Sequence, residues 1–281
     1  MIFHGLGSMQ GRLSQPLNDK IQHFPITKWQ EEFHTASKIG LSSIEWVYEF
    51  EKVKKNPLDK LESLEQIKEI SLETGIKIGS VVADYFMESK LFNEEEVLID
   101  KNISKLKSLI NNCVVVGIPI VEIPLVDASS LKNCSDLKGF VDRMCPVVEM
   151  ASEVGVKISL ETDLNPQNFK SLLEMFLPQK VYINFDMGNS AANGFNPREE
   201  IQLLSDDIIN VHIKDRVLGG GTVPLGKGDT NFAEVFSQLR QINYSGDFIL
   251  QAARQDVGNK TNKGFIPTVL EYIEFLKSYI S

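Results

Sequence analysis

Short β-branched runs alternate with longer amphipathic stretches along the whole chain, in a unit of about 30 residues. The short runs predict strands at Ile2–Met9, Ser43–Tyr48, Lys77–Ala83, Ile120–Leu125, Lys157–Thr162, Val181–Asp186, Ile208–Ile213 and Asp247–Ala252. The stretches between them predict helices over Lys28–Lys38, Leu58–Thr74, Glu94–Val116, Asp136–Val154, Pro166–Phe176, Pro197–Leu204, Asn231–Gln241 and Gly264–Tyr279. In Leu58–Thr74 the apolar residues Leu61, Leu64, Ile67 and Ile70 recur every third place and share one helical face. Gly40, Gly75, Gly117 and Gly155 each stand between a helix and the next strand, where a left-handed cap costs glycine little. Helix, glycine, strand, repeated, is the pattern of α/β units joined by short loops. Eight such units predict a single (β/α)8 TIM barrel over residues 1–281. A doubly wound open sheet is the rival architecture, but no GxGxxG follows the first strand. No Pro/Ser-rich linker, charge run or compositional shift divides the chain.

Composition narrows the function classes. The chain is 42% hydrophobic, enough for a substantial core, and carries 29 Lys and Arg against 38 Asp and Glu, a formal charge of −9. That balance opposes broad contact with nucleic acid or anionic lipid, so neither is expected as a partner. Cys113, Cys134 and Cys145, odd in number and unevenly spaced, do not make a disulfide framework and read as reduced thiols. The start, MIFHGLGSMQ, shows no secretory signal. The apolar run Val114–Val121 is broken by Gly117 and Pro119, far short of the ~20 residues that span a bilayer. A soluble cytoplasmic protein is expected.

In a barrel, chemistry collects at the C-terminal ends of the strands. The fifth strand ends SLETD with Glu161, the sixth INFDMGN with Asp186 and Asn189, the seventh holds His212 in NVHIKD, and the eighth, FILQAAR, offers Gln251 at the same level. Four consecutive strand ends thus present Glu, Asp, His and Gln. That donor set suits one divalent ion, Mn²⁺, Mg²⁺, Co²⁺ or Zn²⁺, held by Glu161, Asp186, His212 and Gln251.

Further candidates face the same end. Lys214, two residues after His212, points the same way along its strand and is either a candidate acid or oxyanion partner or a structural ion pair with Asp186 or Glu161. Asp84, Glu45 and Glu122 close other strands and are candidates for substrate contact, as is Asn189. Arg216 and Arg254 follow the seventh and eighth strands, where barrels often bind phosphate. Arg12 is placed to reach the pocket mouth. Trp46 and Phe86 either wall the pocket or pack in the core. The stretch Gly219–Gly228, GGGTVPLGKG, reads as the most flexible segment and as a lid.

The LET, DMGN and VHIKD strand ends, with Gly226, Gly228 and Phe232 leading into a helix, resemble the xylose-isomerase-like TIM-barrel superfamily in its sugar-phosphate isomerase/epimerase branch. The resemblance covers essentially the whole chain. In the ketose 3-epimerases and L-ribulose-5-phosphate 3-epimerases it resembles, one metal is held by Glu, Asp, His and a second Glu. The first three match Glu161, Asp186 and His212. Gln251 stands in place of the second Glu, and Asn189 where many relatives have His. An amide does not take up a proton near neutral pH.

The resemblance implies a metal-dependent isomerase or epimerase of a sugar or sugar phosphate, working through an enediolate with Glu161 as base. It also implies a homo-oligomer. Two alternatives follow from the same residues. Gln251 favours a non-catalytic or repurposed sugar- or metal-binding barrel. An endonuclease IV-like DNA repair nuclease shares the superfamily barrel but uses many histidines, and here His4, His23 and His34 cluster in the first 34 residues.

Overall fold

A computed structural model describes residues 5–15, 22–254 and 265–280. The elements run β1 (Leu6–Met9), α1 (Trp29–Lys38), β2 (Ser43–Val47), α2 (Leu64–Thr74), β3 (Lys77–Val82), α3 (Tyr85–Glu88), α4 (Glu96–Val116), β4 (Ile120–Leu125), α5 (Cys134–Glu153), β5 (Lys157–Thr162) and α6 (Pro166–Glu174). They continue with β6 (Tyr182–Asp186), α7 (Met187–Asn193), α8 (Pro197–Leu204), β7 (Ile208–Ile213), β8 (Asp215–Arg216), β9 (Thr222–Val223), α9 (Phe232–Gln241), β10 (Asp247–Leu250) and α10 (Phe265–Ile280). Eight parallel strands close in the order β1-β10-β7-β6-β5-β4-β3-β2, and β8 with β9 forms a separate antiparallel hairpin. This is a (β/α)8 barrel, and closure excludes the open doubly wound sheet. Among the described residues no helix is long and apolar enough to cross a membrane. All three cysteines are free.

The periodicity places most elements within a few residues. Expected strand residues Ile2–His4 and helix residue Gly264 lie outside the described residues. The four cap glycines all take positive φ, from 72° at Gly75 to 87° at Gly117. Two differences have physical causes. The helix expected from Leu58 begins only at Leu64, after two 3₁₀ turns, and Leu61 is 75% exposed rather than on the buried face. Tertiary contacts hold those turns: Asn56 accepts from the Trp46 indole at 2.9 Å and from the Leu58 amide, and Asp59 accepts from Tyr48 and Lys105. The second difference is α7, a short helix too polar for periodicity to reveal.

Helix ends are set by side chains. Asn133, Asn165, Asn196 and Asn231 accept backbone N–H groups at the starts of α5, α6, α8 and α9. Outside the barrel wall, Trp46 is fully buried among Phe24, Trp29 and Phe33, with ring centroids 5.3 to 6.5 Å away. Phe86 packs on Tyr85. Of the two roles open to these aromatics, core packing is the one both fill.

Inside the wall the layers are polar rather than aliphatic. Ser43, Glu45, Ser80, Glu122, Ser159, Glu161, Asn184, Asp186, Asn210 and His212 are all buried. Two register shifts help to aim them. One leaves Gly79 as an extra residue and sets Ser80 opposite Glu45; the other sets Asn184 opposite Asn210. A Cβ at Gly79 would lie 2.6 Å from the Asp247 carboxylate, which would have to swing aside to admit it.

Two buried carboxyls away from this layer are set against high pH. Burial pushes Glu200 of α8 up to about 7, against the hydrogen bond it accepts from Ser190. Burial likewise pushes Glu32 up to about 7, against the Gly11 and Leu13 amides it caps. A carboxyl that binds its proton more tightly folded than unfolded stabilises fully below about pH 4.5 and loses that contribution as pH rises through about 7. For Glu200 the loss is roughly 3 kcal/mol across the window. Chemical denaturation at pH 5 and pH 8 is expected to show lower stability at pH 8. Glu200→Gln, which keeps the volume and cannot ionise, is expected to shrink that difference by roughly 1–3 kcal/mol; an unchanged difference would show Glu200 already ionised in the fold.

Candidate active site

Three of the expected residues converge at the C-terminal ends of adjacent strands. Asp186 of β6 is the direct register partner of His212 of β7. His212 Nδ1 lies 3.3 Å from Glu161 Oε2 and 4.0 Å from Asp186 Oδ2. Glu161 is held by two amides: Asn184 donates to Oε2 at 2.7 Å and Asn189 to Oε1 at 2.6 Å. The Asn184 nitrogen also sits 3.0 Å from His212 Nδ1. A donor there assigns the lone pair of the neutral ring to Nδ1 and its proton to Nε2.

Behind the ring, Nε2 is 2.8 Å from Glu45 Oε2 and 3.3 Å from Glu122 Oε2. The other Glu45 oxygen accepts from Ser80 at 2.7 Å and Asn210 at 3.0 Å. Glu45 therefore lies beneath His212 with its charge against Nε2, where a carboxylate commonly stands behind a ligating imidazole.

The DMGN sequence performs several tasks at once. Asp186 Oδ1 accepts the Asn189 amide at 2.8 Å and so caps α7, while Oδ2 receives Lys214 Nζ at 3.1 Å. The helix carries Asn189 over Glu161. Gly188 is required by Lys214, because a Cβ there would lie 2.8 Å from the lysine Cγ and 3.1 Å from its backbone. Lys214 and Arg216 also reach the Asn189 carbonyl, at 3.4 and 2.7 Å.

Charge dominates this cluster. Burial disfavours an ionised His212, yet Glu45 and Glu122, and the hydrogen bond to Glu161, outweigh it and hold the imidazolium well above its usual pKa. Burial would also raise Glu161, but His212 and Lys214 hold it down at about 2, so it is a carboxylate. Glu122 is pushed well up by burial, against His212, and neither of its oxygens has a hydrogen-bond partner among the described residues. Asp186 is raised by burial against the pull of Lys214. Asp84 is pushed up to about 7 by burial, against the hydrogen bond from Gln22.

Above the cluster opens a cavity of about 840 Å³ whose lining includes Gln22, Asp84, Glu122, Glu161, Asn189, Lys214, Arg216 and Gln251. Gln251 sits one layer higher than expected. Ile249, not Gln251, pairs with His212, and the Gln251 amide donates to the Ile213 carbonyl at 3.0 Å. The stagger of tilted barrel strands causes the offset. Arg254 is placed elsewhere: its Nη1 donates to the Ser14 carbonyl at 2.9 Å, beside a buried Arg12 that donates to the Ala252 carbonyl. Burial and the neighbouring Arg254 lower Arg12 to about 9.

The Gly219–Gly228 stretch supplies the turn and second strand of the β8–β9 hairpin. Asp215 accepts the amides of Lys227, Gly228 and Thr230 at 2.8 to 3.1 Å, and Arg216 holds the Gly220 carbonyl.

The sequence profile of the xylose isomerase-like TIM barrel family matches residues 33–277. The chain belongs to this family. A relative, the L-ribulose-5-phosphate 3-epimerase UlaE of Shigella flexneri serotype 5b (strain 8401), is 24% identical over 234 residues, 79% of this chain and 81% of that one. Among solved structures, D-psicose 3-epimerase with D-tagatose from Clostridium cellulolyticum H10 superposes with a TM-score of 0.77 over 99% of each chain, at 12% identity. The IolI protein with a bound zinc atom gives 0.76 over 99% of each chain, at 20% identity. These likenesses place the fold.

The donor set of this xylose isomerase-like barrel fits a divalent cation. Glu161, Asp186 and His212 offer two oxygens and a nitrogen within 4.8 Å of one another, and two carboxylates neutralise a dication. The Gln251 side-chain oxygen, buried and without a partner among the described residues, is a fourth donor facing the same cavity. Glu45, Glu122 and His212 form a second such group. Among the described residues only His212 of the histidines enters either group, so the histidine-rich cluster of a nuclease is not assembled; His4 lies outside them.

Sequence reading passed over Asn184, Asn210 and Gln22. The first two were detectable, standing two residues before Asp186 and His212 and so on the same strand face. Gln22 carried no signal at all. Elemental analysis of the purified protein is expected to find about one equivalent of divalent metal, lost in His212→Ala. Glu45→Gln is expected to weaken metal affinity by roughly 10- to 100-fold. Equal metal content in all three proteins would exclude His212 as a ligand.

Proposed function

We propose that this protein is a divalent-metal-dependent isomerase or epimerase of a sugar or sugar phosphate. The observation that carries this reading is the convergence of Glu161, Asp186 and His212 in one buried group, with Glu161 opening onto a cavity that Lys214 and Arg216 also line. The names of the relatives support it, since those proteins act on ketoses or a ketose phosphate. A cation held by Glu161, Asp186, His212 and Gln251 would polarise neighbouring carbonyl and hydroxyl oxygens of the sugar as a Lewis acid.

The chain's own residues then divide the work. Glu161, kept ionised and aimed by Asn184 and Asn189, removes the proton from the carbon beside the carbonyl. Lys214 places positive charge near the oxygen that becomes anionic in the enediolate. Asn189 and Arg216 bind hydroxyl or phosphate oxygens, with Asp84 and Glu122 on the opposite wall. Gln251 can neither accept nor return the proton, so the proton comes back from Glu161 or from water. Free cysteines and the absence of a membrane-crossing helix among the described residues agree with a cytoplasmic setting.

One observation favours a second reading. An amide at residue 251 removes a carboxylate that the resembling epimerases use, which suits a barrel that binds a sugar without converting it. Incubation with ketoses and their phosphates in deuterium oxide separates the two. An enzyme exchanges one carbon-bound proton for deuterium, visible by NMR, and Glu161→Gln is expected to slow that exchange by about 10²- to 10⁴-fold. Sugar binding without exchange would sink the enzyme reading and leave the binding barrel.

A further inference from the structure

The orientation of the Gln251 amide is set by a chain of hydrogen bonds that runs through Gln22 to Asp84. Gln251 is 7% exposed. Its Nε2 donates to Gln22 Oε1 at 3.1 Å, and Gln22 Nε2 donates in turn to Asp84 Oδ2 at 2.5 Å. The direction of this chain is dictated by chemistry. Asp84 accepts from the Gln22 nitrogen, and in its ionised form it can only accept, which holds Gln22 in that orientation. That leaves the Gln22 oxygen facing residue 251, which must therefore present its own nitrogen. The Gln251 oxygen is then the atom left over, buried, without a partner among the described residues, and on the cavity wall.

We propose that Asp84 and Gln22 are positioning residues that lock the Gln251 amide with its carbonyl oxygen toward the metal-ligand group. This rests on the metal reading of the site. An amide free to rotate would present its NH₂ group to a cation as readily as its oxygen, and only the oxygen has a lone pair to give. The same clamp accounts for the departure at residue 251. A glutamate there would set its carboxylate against the Gln22 oxygen, two acceptors face to face, and Gln22 cannot turn to relieve it without facing its oxygen to Asp84. Asp84, Gln22 and Gln251 are one matched unit in which a carboxylate at one end requires an amide at the other.

Calorimetric titration of the metal-free protein with Mn²⁺ tests this, in four proteins: the natural sequence, Gln22→Met, Gln251→Glu and the double variant. In the natural background Gln22→Met is expected to weaken Mn²⁺ binding about tenfold. In the Gln251→Glu background the same change is expected to leave affinity unchanged or to tighten it, because it removes the facing acceptors. Asp84→Asn provides a second route that does not alter Gln22. It is expected to weaken binding with Gln251 and to strengthen it with Glu at that position, a reversal that the simple loss of one negative charge would not produce. Equal fold-changes in both backgrounds would overturn the clamp while leaving the metal site in place. A natural protein that binds neither Mn²⁺ nor Zn²⁺ would bring down the metal reading and the clamp with it.

Discussion

Four carboxyl groups, those of Glu45, Glu122, Glu161 and Asp186, are buried around one imidazole, and the rest of the structure is arranged to make that tolerable. None is more than 6% exposed, and His212 is fully buried. Each ion withdrawn from water costs several kcal/mol unless charge and hydrogen bonds replace the lost hydration. In this protein the replacement comes from positive charge at the centre of the group and from amide and hydroxyl donors around it. A proton on His212 supplies that charge, and a divalent cation on its Nδ1 side would supply it more fully. The cluster therefore suits a cation on electrostatic grounds, independently of any likeness to other proteins.

That requirement explains the barrel's unusual interior. Branched aliphatic layers commonly fill such barrels, whereas here serine, asparagine and glutamate occupy the inward positions. Ser80 and Asn210 satisfy Glu45, Asn184 and Asn189 satisfy Glu161, and Lys214 satisfies Asp186. Apolar packing is displaced outward, to the interface between strands and helices, where Trp46 and its aromatic neighbours lie. The bulge at Gly79 aims a donor at Glu45, and the shift between Ile183 and Asn184 sets Asn184 opposite Asn210. Local irregularities in the strands thus serve the charge balance of the centre.

The pocket above inherits a division of labour from the strand order. Carboxyl groups on or just after β3, β4 and β5 line one side, and Lys214 and Arg216 after β7 stand on the other, tied to α7 and the β8–β9 hairpin through Asn189 and Gly220. Asp186 joins the two levels, since one oxygen caps α7 and the other faces the cluster. A change that displaced α7 would therefore disturb Glu161, Lys214 and Arg216 together.

Much of this was legible in the chain itself, for identifiable reasons. Strands and helices follow from periodicity, the cap glycines from the conformation they must adopt, and barrel closure from the count of eight units. Glu161, Asp186 and His212 were visible because charged or ionisable residues at the ends of apolar strands need partners. The asparagines behind them shared the same two-residue spacing, a weaker signal because asparagine is also common in turns. Periodicity could not reveal α7, which depends on one cap by Asp186, or the late start of α2, which Asn56 and Asp59 impose from a distance. Nor could it place Gln251, whose level depends on barrel stagger, or join Gln22 to Asp84 across 62 residues of chain. Sequence determines what is periodic and local; which polar atoms face each other depends on strand register and on contacts between distant segments, and only the folded barrel decides those.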